Sequence, residues 1–252
     1  MKKQFSRFII PLGIILVVVF ACQIFSDSAI LPHFVLPQPS LILDGLIKNW
    51  RWFLANLQVT MMEAAYGFLL GVTIAITLAL SYLFIRPLEP VIVPLTVAIV
   101  NVPFVAVAPI LFIVLGYGSE AKIFIVALVT FFPVMSNLTA GFNSVNQNLR
   151  ERFYVLHASR WQVFTKLELP AAIPHFTTGL QIAVAGSVIG AIVGELLGAT
   201  KGMGFVILMT ISQYKIAVLM AAVLMITIAS ILFTWLIRQI SSLLFHRWII
   251  NR

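Results

Sequence analysis

The chain alternates long apolar stretches with short polar ones, and several of the apolar stretches are long enough to cross a bilayer. A membrane-spanning helix needs about 17–25 predominantly apolar residues, because the hydrocarbon core of a bilayer is roughly 30 Å thick. Hydrophobic residues make up 61% of the chain and charged residues 10%, which leaves too little polar surface to cover a soluble globule of this size. The pattern therefore predicts an all-α integral membrane protein.

Six stretches are predicted to be membrane-spanning helices. They cover about residues 8–25, 57–84, 91–115, 121–140, 171–197 and 216–237. A basic cluster precedes the first stretch, which is also the shape of a cleaved signal peptide, but the spans that follow favour an uncleaved first span. Residues 40–53 are predicted to form an interfacial helix on the outer surface, because Ser40 can cap a helix and Trp50 and Trp52 suit the headgroup level.

The distribution of Lys and Arg sets the predicted orientation. The chain has 16 of these residues and a formal net charge of +8. In the six-span arrangement, eleven of the sixteen fall on one side and five on the other, and an excess of Lys and Arg is typical of the cytoplasmic side. Both termini are therefore expected in the cytoplasm. No aromatic–basic nucleic-acid motif accompanies the charge, so the expected surroundings are membrane lipid and not nucleic acid.

Small residues recur every four positions in two of the predicted spans, a spacing that lets helix backbones approach closely in lipid. In the second span they are Gly67, Gly71, Ala75 and Ala79, and in the fifth they are Gly186, Gly190, Gly194 and Gly198. The face in the fifth span is expected to pack most closely. The third span contains Pro94, Pro103 and Pro109, each of which removes a backbone hydrogen bond, so this span is expected to lie against protein or a transport pathway.

A polar segment separates the fourth and fifth predicted spans. It reads ERFYVLHASRWQVFTKLELP over residues 151–170. Its basic side chains, Arg150, Arg152, Arg160 and Lys166, indicate a cytoplasmic location. Its apolar side chains are Leu156, Trp161, Val163 and Phe164. A loop left in water would not favour these apolar residues, but a groove on a partner protein would accept them; the alternative is that they lie along the protein's own membrane interface.

No catalytic residues are predicted. The chain lacks the phosphate loop G-x-x-x-x-G-K-[ST], the zinc motif H-E-x-x-H and any nucleophile with a base at a recognisable spacing. Its single cysteine, Cys22, excludes an internal disulfide and a cysteine-rich metal site, and no metal site is predicted. A membrane chain without enzymatic chemistry is best explained as a conduit, and a conduit requires a source of energy.

The polar segment resembles the EAA loop of ATP-binding-cassette (ABC) importer permeases. That loop has a Glu, a Gly six residues later, and a closing sequence of an apolar residue, any residue, Leu and Pro. Here Glu151 and His157 take the first two places, and Leu167-Glu168-Leu169-Pro170 closes the motif. Residues 36–39, 103–118, 158–164, 169–174 and 195–204 are similar to the aliphatic-sulfonate, taurine and nitrate branch of these permeases.

The resemblance implies a multi-pass permease of the bacterial inner membrane with no enzymatic activity of its own. It implies a second copy of the permease, a dimer of cytoplasmic ABC ATPases that binds ATP and Mg, and an extracytoplasmic solute-binding protein, with no cofactor in this chain. It also implies that the loop over residues 150–166 is a cytoplasmic helix–turn–helix whose turn docks on the ATPase. The expected coupling residues are Glu151, Leu156, His157, Ala158, Ser159, Arg160, Trp161, Phe164, Leu169 and Pro170.

Three positions in the loop depart from the family pattern. Arg152 and Phe153 stand where small residues are usual, so the first helix of the loop is expected to pack less tightly. His157 stands where the turn usually has Gly. Histidine is among the non-glycine residues that more often tolerate a positive φ, so the turn is expected to persist with modest strain.

Polar or flexible positions within the spans are candidates for a translocation pathway, because ionisable groups in a membrane tend to face one. These candidates are Asn101, Pro103, Gly190, Gly194 and Glu195. The alternative for Glu195 is a hydrated carboxylate at the outer interface or one paired with Lys201. Glu63 is interpreted as a hydrated or paired carboxylate near the outer interface.

The resemblance favours a small organic anion such as a sulfonate, taurine or nitrate as substrate, and a thiamine-precursor pyrimidine or another vitamin-like solute is the alternative. Two other classes of protein remain open on the residues alone. An ion-coupled secondary transporter would need charged residues near the membrane midplane and commonly has inverted repeats, and neither is evident. A membrane-anchored scaffold would not need the proline-rich third span or the glycine faces.

Overall fold

The computed structural model describes residues 37–85 and 101–249, together with the single residues Gln23, Pro94 and Ala98. Within these ranges every regular element is a helix, and four of the helices are long and apolar enough to cross a membrane. The predicted all-α class is therefore confirmed for the described part of the chain. The predicted span over residues 8–25 and most of residues 91–100 lie outside the described residues.

From residue 104 onward the helices follow one another with short connections. They are α1 (Pro39–Phe84), α2 (Phe104–Leu115), α3 (Ser119–Asn143), α4 (Gln147–Val155), α5 (Arg160–Gly198), α6 (Met203–Ser212) and α7 (Ile216–Ile249). The four long apolar helices are α1, α3, α5 and α7. Within α5, the five residues Phe164–Glu168 have π-helical geometry. We call the end of the bundle where α1 and α3 finish the turn end, and the other the opposite end.

α1 is one continuous helix of 46 residues, whereas the sequence predicted an interfacial helix over residues 40–53 followed by a span from residue 57. It begins at Pro39 with Gln38 as the extended residue before it, so the predicted cap at Ser40 is wrong. Proline suits the first helical position because its φ is fixed and its missing N–H needs no partner there. No proline lies between Ser40 and Phe84, so nothing ends the helix where the two segments were expected to meet.

The other helices extend beyond the predicted spans. α3 exceeds the predicted residues 121–140 at both ends, α5 begins eleven residues before residue 171, and α7 continues past residue 237. The stretch over residues 198–215 was predicted as a loop but contains α6, whose sequence MGFVILMTIS is itself apolar. Of the predicted third span, the described part is mainly α2, a helix of 12 residues with Pro109 inside it.

Small residues bring α3 into close contact with both α1 and α5. An added Cβ at Gly67 or Gly71 of α1 would overlap Val126 or Thr130 of α3. An added Cβ at Gly141 of α3 would lie 2.7 Å from Ala172 Cα of α5. The predicted close-packing role of the second-span glycines is therefore confirmed.

Three of the four glycines on the small-residue face of the fifth predicted span pack less tightly than expected. An added Cβ would lie 3.4 Å from its nearest neighbour at Gly190 and 3.2 Å away at Gly186 and Gly194, whereas at Gly198 it would lie 2.9 Å from the ring of Tyr117. The first three are ordinary to slightly tight contacts, because α5 meets the side chains of Val126, Val129 and Lys122 there and not the α3 backbone alone. The expectation that this face packs against its neighbours more closely than any other small-residue face is wrong, because the contacts at Gly67 and Gly71 are closer.

Two larger apolar clusters fill the bundle, and a smaller one joins α2 to α3. The cluster at the turn end joins α1, α3 and α5 and includes Phe68, Phe131, Phe142, Phe164 and Leu180. The cluster at the opposite end joins α1, α3, α5, α6 and α7 and includes Phe53, Val126, Met203, Val206 and Ala222. The turn-end cluster extends to the end of the bundle where α1 and α3 finish, so it supports the polar segment that follows α3.

Gly67→Ala should destabilise the fold by about 1–3 kcal/mol, the usual cost of forcing extra atoms into a packed core. The new Cβ would overlap Val126 and lie 2.7 Å from the carbonyl oxygen of Ile123, so α1 and α3 would have to separate. Gly190→Ala is the matched control, and we expect it to be neutral or slightly stabilising because Ala is the better helix former. The melting temperatures of the two variants in detergent test this, and equal values would contradict it.

Candidate functional site

Each of the two helices beside the turn has its own N-cap. The side chain of Asn146 accepts a hydrogen bond from Asn148 N at 2.9 Å and so caps α4. Ser159 and Gln162 form a capping box at the start of α5, in which Ser159 N donates to Gln162 Oε1 at 2.8 Å and Gln162 N donates to Ser159 Oγ at 3.3 Å. Caps of this kind satisfy N–H groups that have no partner inside the helix. They fix where the turn begins and ends.

The turn between α4 and α5 contains a left-handed residue. His157 has a φ of +52°, the conformation for which Gly is usually needed. This confirms that a histidine here is compatible with a positive φ. His157 N donates to Tyr154 O and Ala158 N donates to Phe153 O, both at 3.0 Å, so the turn is closed by backbone hydrogen bonds.

Large apolar side chains flank this turn and lie exposed. Tyr154 is 84% exposed, Val155 74%, Leu156 76% and Trp161 64%. We call these four residues the turn patch. The sequence singled out Leu156 and Trp161 but missed Tyr154 and Val155. No residue of α4 is buried, so the side chains of Tyr154 and Val155 do not enter the core of the protein.

Phe164 does not belong to the exposed surface, although it was predicted among the coupling residues. It is 7% exposed, and its ring lies 5.2 Å from that of Phe84 and 5.5 Å from that of Trp161. Val163 is also buried. Both residues therefore support the turn patch from beneath, and their apolar character reflects the core of the protein itself.

The remaining predicted coupling residues lie along the same segment. Glu151 is exposed on α4, where its Oε1 accepts a long hydrogen bond of 3.5 Å from Gln147 Nε2. Leu169 and Pro170 are partly buried and follow the π-helical segment. Pro170 has no N–H and its ring would press on the carbonyl four residues back in a regular helix. The wider turn, in which Leu169 N donates to Phe164 O five residues back, accommodates it.

Glu168 is the centre of an ionic network at the turn end. Its side chain is fully buried. Arg160 Nη1 donates to both of its carboxylate oxygens, at 2.8 and 2.9 Å, and Arg150 Nη2 lies 3.1 Å from Oε1. We call Arg150, Arg160 and Glu168 the Glu168 junction. The sequence placed Arg160 on the coupling loop but gave no sign that these three residues meet.

Both arginines of the Glu168 junction also bind helix ends. Arg160 Nη2 donates to Leu83 O at 2.7 Å, and Arg150 Nη2 donates to Phe142 O at 3.4 Å. These carbonyls lie in the last turns of α1 and α3, where carbonyl groups have no partner inside their own helix. The Arg160 guanidinium also lies 5.5 Å from the ring centre of Phe84. A cleft of about 580 Å³ opens beside these groups, between the turn and the ends of α1 and α3.

Three of the residues predicted to line a pathway are buried within the protein instead. Gly190 and Gly194 face α3. Glu195 is fully buried, accepts hydrogen bonds from Thr60 Oγ1 at 2.7 Å and Gly204 N at 2.6 Å, and is not paired with the exposed Lys201. A carboxylate in an apolar bundle requires such partners, so its role here is to hold the start of α6 against α1.

Further hydrogen bonds complete this arrangement at the opposite end. Met203 N donates to Thr60 Oγ1 and Gly202 N donates to Asn56 Oδ1, both at 2.8 Å. Gly202 has a φ of +108°, which a residue with a side chain rarely adopts. Side chains from α1 and α5 thus bind three successive N–H groups at the start of α6.

The other two predicted pathway residues are exposed. Asn101 and Pro103 lie just before α2 at the edge of an apolar groove of about 270 Å³. The groove is lined by Val102, Phe104, Val107, Leu128, Val129, Phe132 and Pro133.

Glu63 pairs with Lys122, with Oε1 and Nζ 2.6 Å apart, and both side chains are buried between α1 and α3. Of the two expectations for Glu63, a hydrated or a paired carboxylate, the paired one is confirmed, within α1.

The sequence matches the family model described as "Binding-protein-dependent transport system inner membrane component" over residues 67–249. It is 30% identical to a probable ABC transporter permease protein of Haemophilus influenzae, covering 89% of this chain and 92% of that protein. It is 32% identical to a formylaminopyrimidine transport permease protein of Halalkalibacterium halodurans, covering 84% and 85%. It is 30% identical to a putative aliphatic sulfonates transport permease protein of Bacillus subtilis, covering 76% and 70%.

Glu195→Ala should lower the stability of the fold by about 1–3 kcal/mol, because it leaves a buried donor without an acceptor. The donor that loses its acceptor is Gly204 N, whereas Thr60 Oγ1 can still donate to Asn56 O at 3.3 Å. Lys201→Ala is the control, since this side chain is exposed beside the same connection and exposed substitutions usually change stability by less than about 0.5 kcal/mol. Melting temperatures in detergent give the comparison, and an unchanged value for Glu195→Ala would contradict this role.

Proposed function

Since this chain belongs to the binding-protein-dependent transport system inner membrane component family and is a permease component of an ABC importer, we propose that the turn patch is where a cytoplasmic ATPase docks. As a transport component the chain is not an enzyme. In this proposal, ATP and Mg are bound by the ATPase, and the permease contributes the pathway and the surface that couples it to hydrolysis.

The observation that carries this proposal is the exposure of the turn patch. Tyr154, Val155, Leu156 and Trp161 would be costly to leave in water, and contiguous exposed apolar residues usually mark an interaction site. Trp and Tyr are also the residues most enriched among those that dominate binding energy at interfaces.

The proposed topology has six spans with both termini in the cytoplasm of a bacterial cell and the turn end on the cytoplasmic side. α1, α3, α5 and α7 supply four spans, and residues 8–25 and 91–115 supply the others. The excess of Lys and Arg on the side of the turn supports this orientation. The residues between α5 and α7, including α6, then face the outside, where a solute-binding protein would deliver its cargo.

We propose that two copies of the permease pair across a central pathway. α2 supports this because its side chains Ile110, Ile113 and Val114 are exposed and apolar, while Asn101 and Pro103 precede it on the same exposed edge. Closure of two ATPases on nucleotide would move the two turn patches together. Rigid-body motion of the two bundles would then open the pathway alternately to each side.

The proposed substrate is a small organic anion, as for the relative named for aliphatic sulfonates. A formylaminopyrimidine-like solute is the second candidate, favoured by the relative named for that compound.

Trp161→Asp should weaken binding of the ATPase by about 2 kcal/mol or more, roughly thirtyfold in Kd, as for the anchor residues of other interfaces. The side chain is exposed, so the fold should remain intact. Asn148→Asp adds the same charge to an exposed position in α4 outside the turn patch, and we expect little change. The Kd of the detergent-solubilised permease for its ATPase is the measurement, and equal Kd values would argue against docking here.

ATP-driven uptake by the whole complex in proteoliposomes tests the proposed substrate class. Aliphatic sulfonates such as taurine should be taken up and formylaminopyrimidine should not compete with them. The reverse preference would replace the first candidate by the second. Uptake that follows an imposed ion gradient and does not require ATP would reject the ABC mechanism for this chain.

A further inference from the structure

The Glu168 junction connects parts of the chain that are far apart in sequence. Arg160 and Leu83 are separated by 77 residues, and their contact joins the start of α5 to the end of α1. Arg150 lies on α4 and binds both Glu168 and the end of α3 through Phe142 O. One buried carboxylate thus holds two arginines, and these arginines hold the ends of two further helices.

We propose that Glu168 is the positioning residue that makes the turn patch and the ends of α1, α3 and α5 move as one body. This inference rests on the proposed docking of an ATPase at the turn patch. A displacement of the patch passes to α5 through the chain itself. It passes to α1 through Arg160 and to α3 through Arg150, and both arginines keep their orientation only while Glu168 holds them.

The geometry of Arg160 explains why an arginine is required. Its guanidinium binds Glu168 through Nη1 and Leu83 O through Nη2 at the same time. Arginine presents several donors in a rigid planar fork, whereas the ammonium group of lysine is a single centre on a flexible chain. A lysine at this position would keep the charge but would not hold both acceptors in this arrangement.

Aromatic rings form a further contact between the start of α5 and α1. The rings of Trp161 and Phe164 lie 6.4 and 5.2 Å from that of Phe84. Aromatic pairs are favourable both offset-stacked and edge-to-face, with ring centres about 4.5–7 Å apart, so these contacts fix the relative position of the two helices less strictly. Hydrogen bonds between charged groups weaken steeply as their geometry changes, so the Glu168 junction resists relative motion more strongly.

The first test compares Glu168→Gln and Arg160→Lys with Lys166→Gln. Lys166 is exposed, lies between the two junction residues in sequence, and makes no ionic contact in the described structure. Each variant is assembled with the ATPase in proteoliposomes, and the ratio of solute imported to ATP hydrolysed is measured together with the Kd for the ATPase. If Glu168→Gln does not fold, Arg160→Lys still tests the proposal, because it changes the same junction and keeps its charge.

We expect the junction variants to bind the ATPase with a Kd within about twofold of the unchanged protein while the transport ratio falls roughly two- to thirtyfold, the range typical of residues that couple distant sites. Lys166→Gln should match the unchanged protein. A normal ratio in folded junction variants would overturn the proposal. A comparable loss of affinity for the ATPase, seen as a higher Kd, would overturn it as well, because Glu168 would then only shape the docking surface.

A second measurement follows the motion itself. Spin labels at the exposed positions Ile85, just after α1, and Arg152, on α4, report the distance between α1 and the turn after Cys22 is replaced by Ser. With the Glu168 junction intact, this distance should stay the same when nucleotide is added, and in the junction variants it should change. If the distance between the two labels changes on addition of nucleotide while the Glu168 junction is intact, the proposal is overturned. Failure of the unchanged protein to bind the ATPase would instead reject the proposed function.

Discussion

The close contact of α3 with its two neighbours is the constraint from which the rest of the arrangement follows. In lipid there is little hydrophobic gain in bringing two helices together, so packing of small residues supplies much of the energy. Gly67 and Gly71 bring α1 against one side of α3, and Gly141 and Gly179 bring α5 against the other. These contacts hold the three helices side by side, and the last turns of α1 and α3 lie beside the first turns of α5. The Glu168 junction and the turn patch depend on that alignment.

The buried ionisable side chains described here each have a partner that explains their presence. Glu63 faces Lys122 in the middle of the α1–α3 contact, Glu195 binds N–H and hydroxyl donors at the opposite end, and Glu168 lies between two arginines at the turn end. An uncompensated charge in such surroundings would be very costly, and removing one partner of a buried pair is usually more destabilising than never having had the pair. These three carboxylates therefore connect helices of the bundle to one another.

The sequence predicted those features that depend on composition or local spacing. These include the all-α membrane class, the close-packing role of Gly67 and Gly71, and a turn at His157 that tolerates a positive φ. It failed where tertiary contacts decide the outcome. The burial of Phe164 depends on neighbours that no local pattern reveals, whereas the unbroken α1 and the helix α6 had local signals that the prediction did not use, namely the lack of proline in α1 and the apolar sequence of α6. Arg150, Arg160 and Glu168 meet only because a left-handed turn and a π-helical segment bring them together, and residues 147–155 have no periodic apolar face from which the exposure of Tyr154 and Val155 could be inferred.

Because α1 is long, a small rotation at the turn end produces a large displacement at the opposite end. At 1.5 Å per residue its 46 residues span about 69 Å, more than twice the thickness of the hydrocarbon core, and no proline interrupts them. A rod of that length pivoting by about 5° at Phe84 carries Pro39 sideways by about 6 Å. A rotation too small to break any contact at the turn end is thereby magnified, at the opposite end, to a displacement about the size of a solute molecule.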